Sequence, residues 1–85
     1  MNKKILYFSA PWCQSCKNLK PYIQNAKDAG VEVQEVDVEQ DPDLAREYNV
    51  ISLPVIYTLV DNEVTGRCDG FSQRTIERID EFINQ

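Results

Sequence analysis

Histidine is absent from this 85-residue sequence. The usual general base and the commonest metal ligand are therefore missing. Any chemistry must come from Cys, carboxylates, Tyr or Lys. No apolar run approaches the roughly 18 residues that mark a transmembrane helix. Basic residues are scarce: nine Lys and Arg stand against 14 Asp and Glu, a formal net charge of -5. Such a chain repels polyanions, which argues against a generic nucleic-acid binder and against a binder of anionic membranes. Three Gly and four Pro are too few for a linker or a low-complexity segment. They read as marks of element edges, with Pro21 falling inside a helix. No internal repeat is visible, and the length suits one domain over residues 1–85 with a single modest core.

Met1-Asn2-Lys3-Lys4 resembles the start of a signal peptide, but the apolar stretch behind it, Ile5 to Ala10, is stopped by Pro11. A secretory apolar region needs roughly 7–15 residues. Lys3 and Lys4 thus read as a solvated lead into a strand, and the expected compartment is the reducing cytoplasm.

Lys4 to Ser9 is nearly continuous in apolar residues and predicts a strand buried on both faces. Cys13 to Ala29 predicts a helix: Leu19, Tyr22, Ile23 and Ala26 share one face, and Gly30 is its stop. Pro21 removes one backbone donor within it. Val31 to Val38 predicts a second strand with both faces partly covered. Asp41-Pro42-Asp43 opens a short helix with an N-cap, a first-position Pro and an acid in the first turn. Val55 to Val60 and Glu63 to Asp69 predict a hairpin turned by Asp61-Asn62. Ser72 caps a last helix whose inner face is Ile76, Ile79, Phe82 and Ile83. The order β-α-β-α-β-β-α implies an α/β fold. A parallel pair joined by a right-handed crossover combines with an antiparallel hairpin into a four-stranded mixed sheet flanked by three helices.

Three cysteines are present: Cys13, Cys16 and Cys68. Cys13-Gln14-Ser15-Cys16 lies where a buried strand ends and a helix begins. There the free backbone N–H groups and the helix dipole favour a thiolate at Cys13. Cys16 sits one turn on, so the two sulfurs can close a small ring. Cys13 would be accessible and attack a disulfide, and Cys16 would resolve the product. A lone C-x-x-C also occurs as half a zinc site or as a structural disulfide. Zinc needs about four ligands; with no His and no second C-x-x-C, no metal is expected. A structural disulfide suits the cytoplasm poorly. A C-x-x-C beside a βαβ pattern favours redox work. Trp12 is either a substrate contact or a cover for the helix start. Cys68 reads as a buried or half-buried filler, with a regulatory or second redox thiol as the alternative. Lys17 and Lys20 read as solvated helix charges, Lys17 alternatively as a charge favouring the Cys13 thiolate, and the acids from Glu32 to Asp43 as mostly a solvated rim.

Ala10-Pro-Trp-Cys-Gln-Ser-Cys-Lys17 resembles the active-site segment of the thioredoxin family, A-x-W-C-x-x-C-K. Pro21 matches that family's helix proline, Leu53-Pro54 the bond before its cis-proline, and Gly70 the glycine of its substrate loop. The resemblance runs from Lys4 to the end, without the family's usual N-terminal strand and helix, as in glutaredoxin-sized thioredoxins. It implies a minimal thioredoxin fold and a thiol–disulfide oxidoreductase acting through a redox-active Cys13–Cys16 disulfide, with no other cofactor. It implies a cis Leu53–Pro54 bond, where the residues alone would suggest an ordinary trans proline at a strand start. It also implies a substrate surface made of Pro11, Trp12, Leu53, Pro54 and Gly70. The expected partners are protein disulfides and a thioredoxin reductase-like electron donor, and the expected state is a monomer.

The sequence departs from the family at two positions that bear on Cys16. The family's buried acid is Tyr7 here, and its partner lysine on the next strand is Glu35. This double exchange leads to the expectation that Glu35, partly desolvated, takes the proton Cys16 must lose, with Tyr7 hydrogen-bonding or relaying. The middle pair Gln14-Ser15 replaces the usual Gly-Pro. A glutathione-dependent glutaredoxin is the nearest alternative; that family shows Cys-Pro-Tyr-Cys and Thr-Val-Pro where this chain has Cys-Gln-Ser-Cys and Ser52-Leu53-Pro54. A non-catalytic binding module is the alternative of a different class.

Overall fold

A computed structural model describes residues 2–85. Its centre is β1 (Lys3–Ser9), whose Ile5, Leu6, Tyr7 and Phe8 are all buried. Alternation along the strand sends these side chains to opposite faces. Ile5 and Tyr7 join Leu19, Ile23, Ile79 and Phe82 in one core cluster, while Leu6 and Phe8 join Val36, Val55, Tyr57 and Leu59 in another. Each fully buried aliphatic or aromatic side chain contributes about 1.5–3 kcal/mol, so this strand anchors both layers.

The helix α1 (Gln14–Asp28) crosses over to β2 (Glu32–Asp37), which pairs parallel with β1. Next come α2 (Pro42–Glu47), β3 (Val55–Val60), β4 (Glu63–Asp69) and α3 (Gln73–Asn84). The sheet order is β2-β1-β3-β4, with β3 antiparallel to both of its neighbours. The first core cluster packs α1 and α3 on one face; the second takes Leu44 and Tyr48 of the α2 segment on the other.

Local chemistry sets the element ends. Asp41 Oδ1 accepts the Leu44 N–H at 3.2 Å and Ser72 Oγ accepts the Thr75 N–H at 3.4 Å, so both expected caps are present. Asp61 and Asn62 take φ of 51° and 70°, the left-handed pair that a two-residue hairpin turn requires.

Three details differ from the sequence reading. The strand expected over Val31–Val38 is shorter and lies at the sheet edge. Within it only Val36 is buried, because β1 is its single strand partner. Second, Gly66 lies within β4 rather than at an edge. A Cβ there would collide with the Arg78 guanidinium, which crosses the strand. Arg78 Nη2 donates to Thr58 Oγ1 at 3.1 Å and to the Thr65 carbonyl at 3.2 Å, so the glycine makes room for a cation that satisfies a buried threonine. Third, helix α1 begins one residue later than expected, with Cys13 as its N-cap.

Candidate active site

The ends of β1 and β2 and the start of α1 meet at one edge of the sheet. Ala10 to Trp12 carry the chain from β1 into the helix, and the Cys13 N–H donates to the Ala10 carbonyl at 3.1 Å. As the N-cap, Cys13 stands where Ser or Asp usually does: its Sγ accepts the Cys16 N–H at 3.1 Å. Cys13 and Cys16 are joined as a disulfide with their Cα atoms 5.3 Å apart. The N–H that now meets Cys13 Sγ is placed to hold the anion formed when the bond is reduced.

Cys13 was expected to be accessible. In the disulfide form it is 6% exposed, and Cys16 is 2% exposed. The exposed residues around the pair are Pro11, Trp12, Gln14 and Ser15. Trp12 is 67% exposed, so it does not serve as a cover for the helix start. Its indole N–H donates to Glu39 Oε2 at 2.9 Å, which fixes the ring at the surface. Glu39 stays exposed, as an acid of the solvated rim, and the sequence pattern does not reveal this pairing.

The Leu53–Pro54 bond is cis. Leu53 packs against both core clusters. The Gly70 N–H donates to the Pro54 carbonyl at 2.7 Å, and Thr75 Oγ1 donates to the Gly70 carbonyl at 2.8 Å. Gly70 takes φ of +82°, a conformation that favours glycine. The proline loop, the Gly70 loop and the start of α3 are thereby tied into one unit. Ile51, 94% exposed, and Phe71, 37% exposed, add apolar surface on these loops that no sequence signal singled out.

Tyr7 and Glu35 are direct partners across β1 and β2, as the expected register requires. Their contacts differ from those expected. Tyr7 is fully buried, and its hydroxyl donates to the Cys16 carbonyl at 2.5 Å. Burial, followed by the charge of Glu35, pushes its phenol from 10.0 up to about 12. The hydroxyl is thus a hydrogen-bond donor to the Cys16 backbone. Glu35 is exposed, and its carboxylate lies 3.5 Å from Lys27 Nζ rather than against Cys16. Instead, a cleft of about 280 Å³ reaches Cys16, lined also by Tyr7, Ser9, Pro11, Lys20 and Asp37. Pro11, assigned to the substrate surface, stands at this cleft. Cys68 is a free, buried thiol in the cluster that contains Cys13 and Cys16; burial raises its pKa, while Arg78 and Arg74 oppose the rise. Among the described residues no group of three or more Cys, Asp or Glu is arranged to hold a metal.

Tyr7→Phe gives a pH-dependent test of this arrangement. Near neutral pH the lost hydrogen bond is expected to cost about 1 kcal/mol. The native state favours the neutral phenol, so the contribution of Tyr7 is intact below pH 10 and is lost as pH rises through about 12. That loss is on the order of 2–3 kcal/mol. Urea unfolding of both proteins at pH 7 and pH 12 is expected to show the wild-type advantage shrinking or reversing. A constant difference would contradict the buried, neutral phenol.

The Thioredoxin family model matches residues 1–85. The chain is 31% identical over 81 residues to the thioredoxin of Bacillus subtilis (strain 168), covering 92% of this chain and 76% of that protein. It is 36% identical over 63 residues to thioredoxin-related transmembrane protein 1 of Bos taurus, covering 69% of this chain but 23% of that larger protein. The crystal structure of oxidised mitochondrial thioredoxin 3 from Saccharomyces cerevisiae superposes with a TM-score of 0.82 at 28% identity, covering 94% of this chain and 78% of the other. No described helix is long and apolar enough to cross a membrane. With its mixed sheet, its three helices and a Cys13–Cys16 disulfide at the start of α1, the chain belongs to the thioredoxin family and carries that family's thiol–disulfide redox pair.

Proposed function

We propose that the protein reduces disulfides in other proteins, with Cys13 as nucleophile and Cys16 as resolving thiol. The observation that carries this is the disulfide at the helix N-cap, with the Cys16 N–H directed at Cys13 Sγ. In the reduced protein the Cys13 thiolate attacks one sulfur of the substrate disulfide. A Cys13–substrate bond forms, and the other substrate sulfur leaves as a thiolate. Cys16 then attacks Cys13 Sγ, closes the internal disulfide and releases the second substrate thiol. Two electrons pass from the dithiol to the substrate. The electrons reside in the cysteine pair, so no bound cofactor enters.

Trp12, Leu53 and Gly70 form the surface on which the substrate chain lies, with Pro11 at its margin; Pro54, expected on this surface, has its side chain buried and shapes the loop from beneath. A surface-held indole supplies large contact area at small entropic cost. The protein works as a monomer in the cytoplasm, and a thioredoxin reductase-like enzyme restores the dithiol. Insulin reduction tests this with two electron supplies: NADPH with thioredoxin reductase, and glutathione with its reductase. Turnover with the first is expected. Turnover with glutathione alone would make the protein a glutaredoxin, and turnover with neither, nor with dithiothreitol, would make it a binding module.

A further inference from the structure

Resolution of the mixed disulfide needs Cys16 to lose its proton while it is 2% exposed. Tyr7 cannot accept that proton, because its hydroxyl is already a donor to the Cys16 carbonyl. Glu35 is drawn away by Lys27 and does not line the cleft that reaches Cys16. The carboxylate on that cleft belongs to Asp37.

We propose that Asp37, at the end of β2, accepts the Cys16 proton through water held in the cleft between them. Building on the disulfide-reductase reading above, this assigns the proton path of its second step. Ser9 and Asp37 are register partners at the ends of β1 and β2, level with the start of α1, whereas Glu35 pairs with Tyr7 one step further from that edge. Asp37 and Glu35 share the α1 face of the strand, two residues apart. The cleft, at about 280 Å³, has room for more than one water. Ser9, Lys20 and Asp37 supply the polar partners such waters need. Asp37 Oδ1 accepts the Glu39 N–H at 2.8 Å, which helps to hold the carboxylate in place.

The charged neighbours are consistent with this path. Facing Cys16 are Tyr7 from β1, Lys17 and Lys20 from α1, Asp37 from β2, and Cys68 of β4 across the core. Asp37 shares one cleft with Lys17 and Lys20 and a neighbouring one with Glu35 and Asp41. In the step, the Cys16 S–H proton passes through water to Asp37. The Cys16 thiolate attacks Cys13 Sγ, and the bond from Cys13 to the substrate sulfur breaks. The departing substrate thiolate takes a proton from solvent or from Asp37.

Stopped-flow reaction of the reduced protein with excess 5,5′-dithiobis(2-nitrobenzoate) separates the two steps. The first nitrothiobenzoate released reports attack by Cys13, and the second, at a rate independent of reagent concentration, reports resolution by Cys16. Asp37→Asn keeps an oxygen for the Glu39 N–H while removing the base. It is expected to leave the first phase unchanged and to slow the second by about 100-fold at neutral pH, the low end of general-base effects. The second phase should then rise with pH as hydroxide replaces the carboxylate. Asp37→Glu should restore the wild-type pH profile, and Glu35→Gln should leave it unaltered. A second phase in Asp37→Asn of unchanged rate, or slowed with an unchanged pH profile, overturns the assignment, as does an equal effect of Glu35→Gln. Absence of the first phase in the wild type would instead overturn the reductase reading itself.

Discussion

Replacing Cys13 with Ser is expected to bring insulin reduction down to the background of dithiothreitol alone. The hydroxyl is the closest replacement in size, so the N-cap geometry and its contact with the Cys16 N–H persist. What disappears is the thiolate, and with it both the nucleophile and the sulfur that Cys16 must attack. The effect should be all-or-none, since a serine hydroxyl does not ionise near neutral pH and forms no bond that Cys16 could exchange. Circular dichroism and thermal unfolding of the variant should match the reduced wild type. Insulin reduction by Cys13→Ser at the wild-type rate would mean that another sulfur does the chemistry, either Cys16 or the buried, free Cys68.

The largest expected loss of stability lies far from the sulfurs, at Phe82. Its side chain is 0% exposed and packs in the cluster that holds Ile5, Tyr7, Leu19, Ile23 and Ile79. This cluster joins α3 to α1 and to the sheet. Phe82→Ala is expected to cost about 3–5 kcal/mol, because the removed ring leaves a cavity that a close-packed core fills only in part. A domain of this length has a total stability on the order of 4–13 kcal/mol, so the variant should be partly unfolded or melt roughly 15 °C or more below the wild type. Val64→Ala is the control: Val64 is 51% exposed on β4 and should change stability by less than about 0.5 kcal/mol. A melting temperature for Phe82→Ala equal to that of the control would contradict the packing described here.

The sequence carried the fold well wherever a local rule and a burial pattern agreed. Ile5 to Phe8 admit few readings other than a central strand, and Asp61-Asn62 between two apolar runs admit few other than a tight turn. The redox pair was legible from spacing and position, and its loops from resemblance to a family. Other features depend on which side chain reaches which neighbour. Glu35 and Asp37 look alike in sequence, two acids on one face of one strand. They differ because Lys27, eight residues before Glu35, projects back onto it, while Asp37 lies at the strand end and lines the cleft that reaches Cys16. Gly66 looks like a strand end until Arg78 from α3 is laid across it. The burial of Cys13 follows from its capping position and its bond to Cys16, neither of which a spacing rule measures.

The measurement closest to the central claim is the capture of a substrate by Cys16→Ser. Without a resolving thiol, the Cys13–substrate disulfide has no internal route to release. Reduced Cys16→Ser protein mixed with insulin should accumulate a mixed disulfide, separable under non-reducing conditions and dissolved by dithiothreitol. Peptide mapping by mass spectrometry should place the link at Cys13. A link mapped to Cys68, or no adduct under conditions where the wild type reduces insulin, would contradict the assignment of Cys13 as nucleophile and Cys16 as resolving thiol.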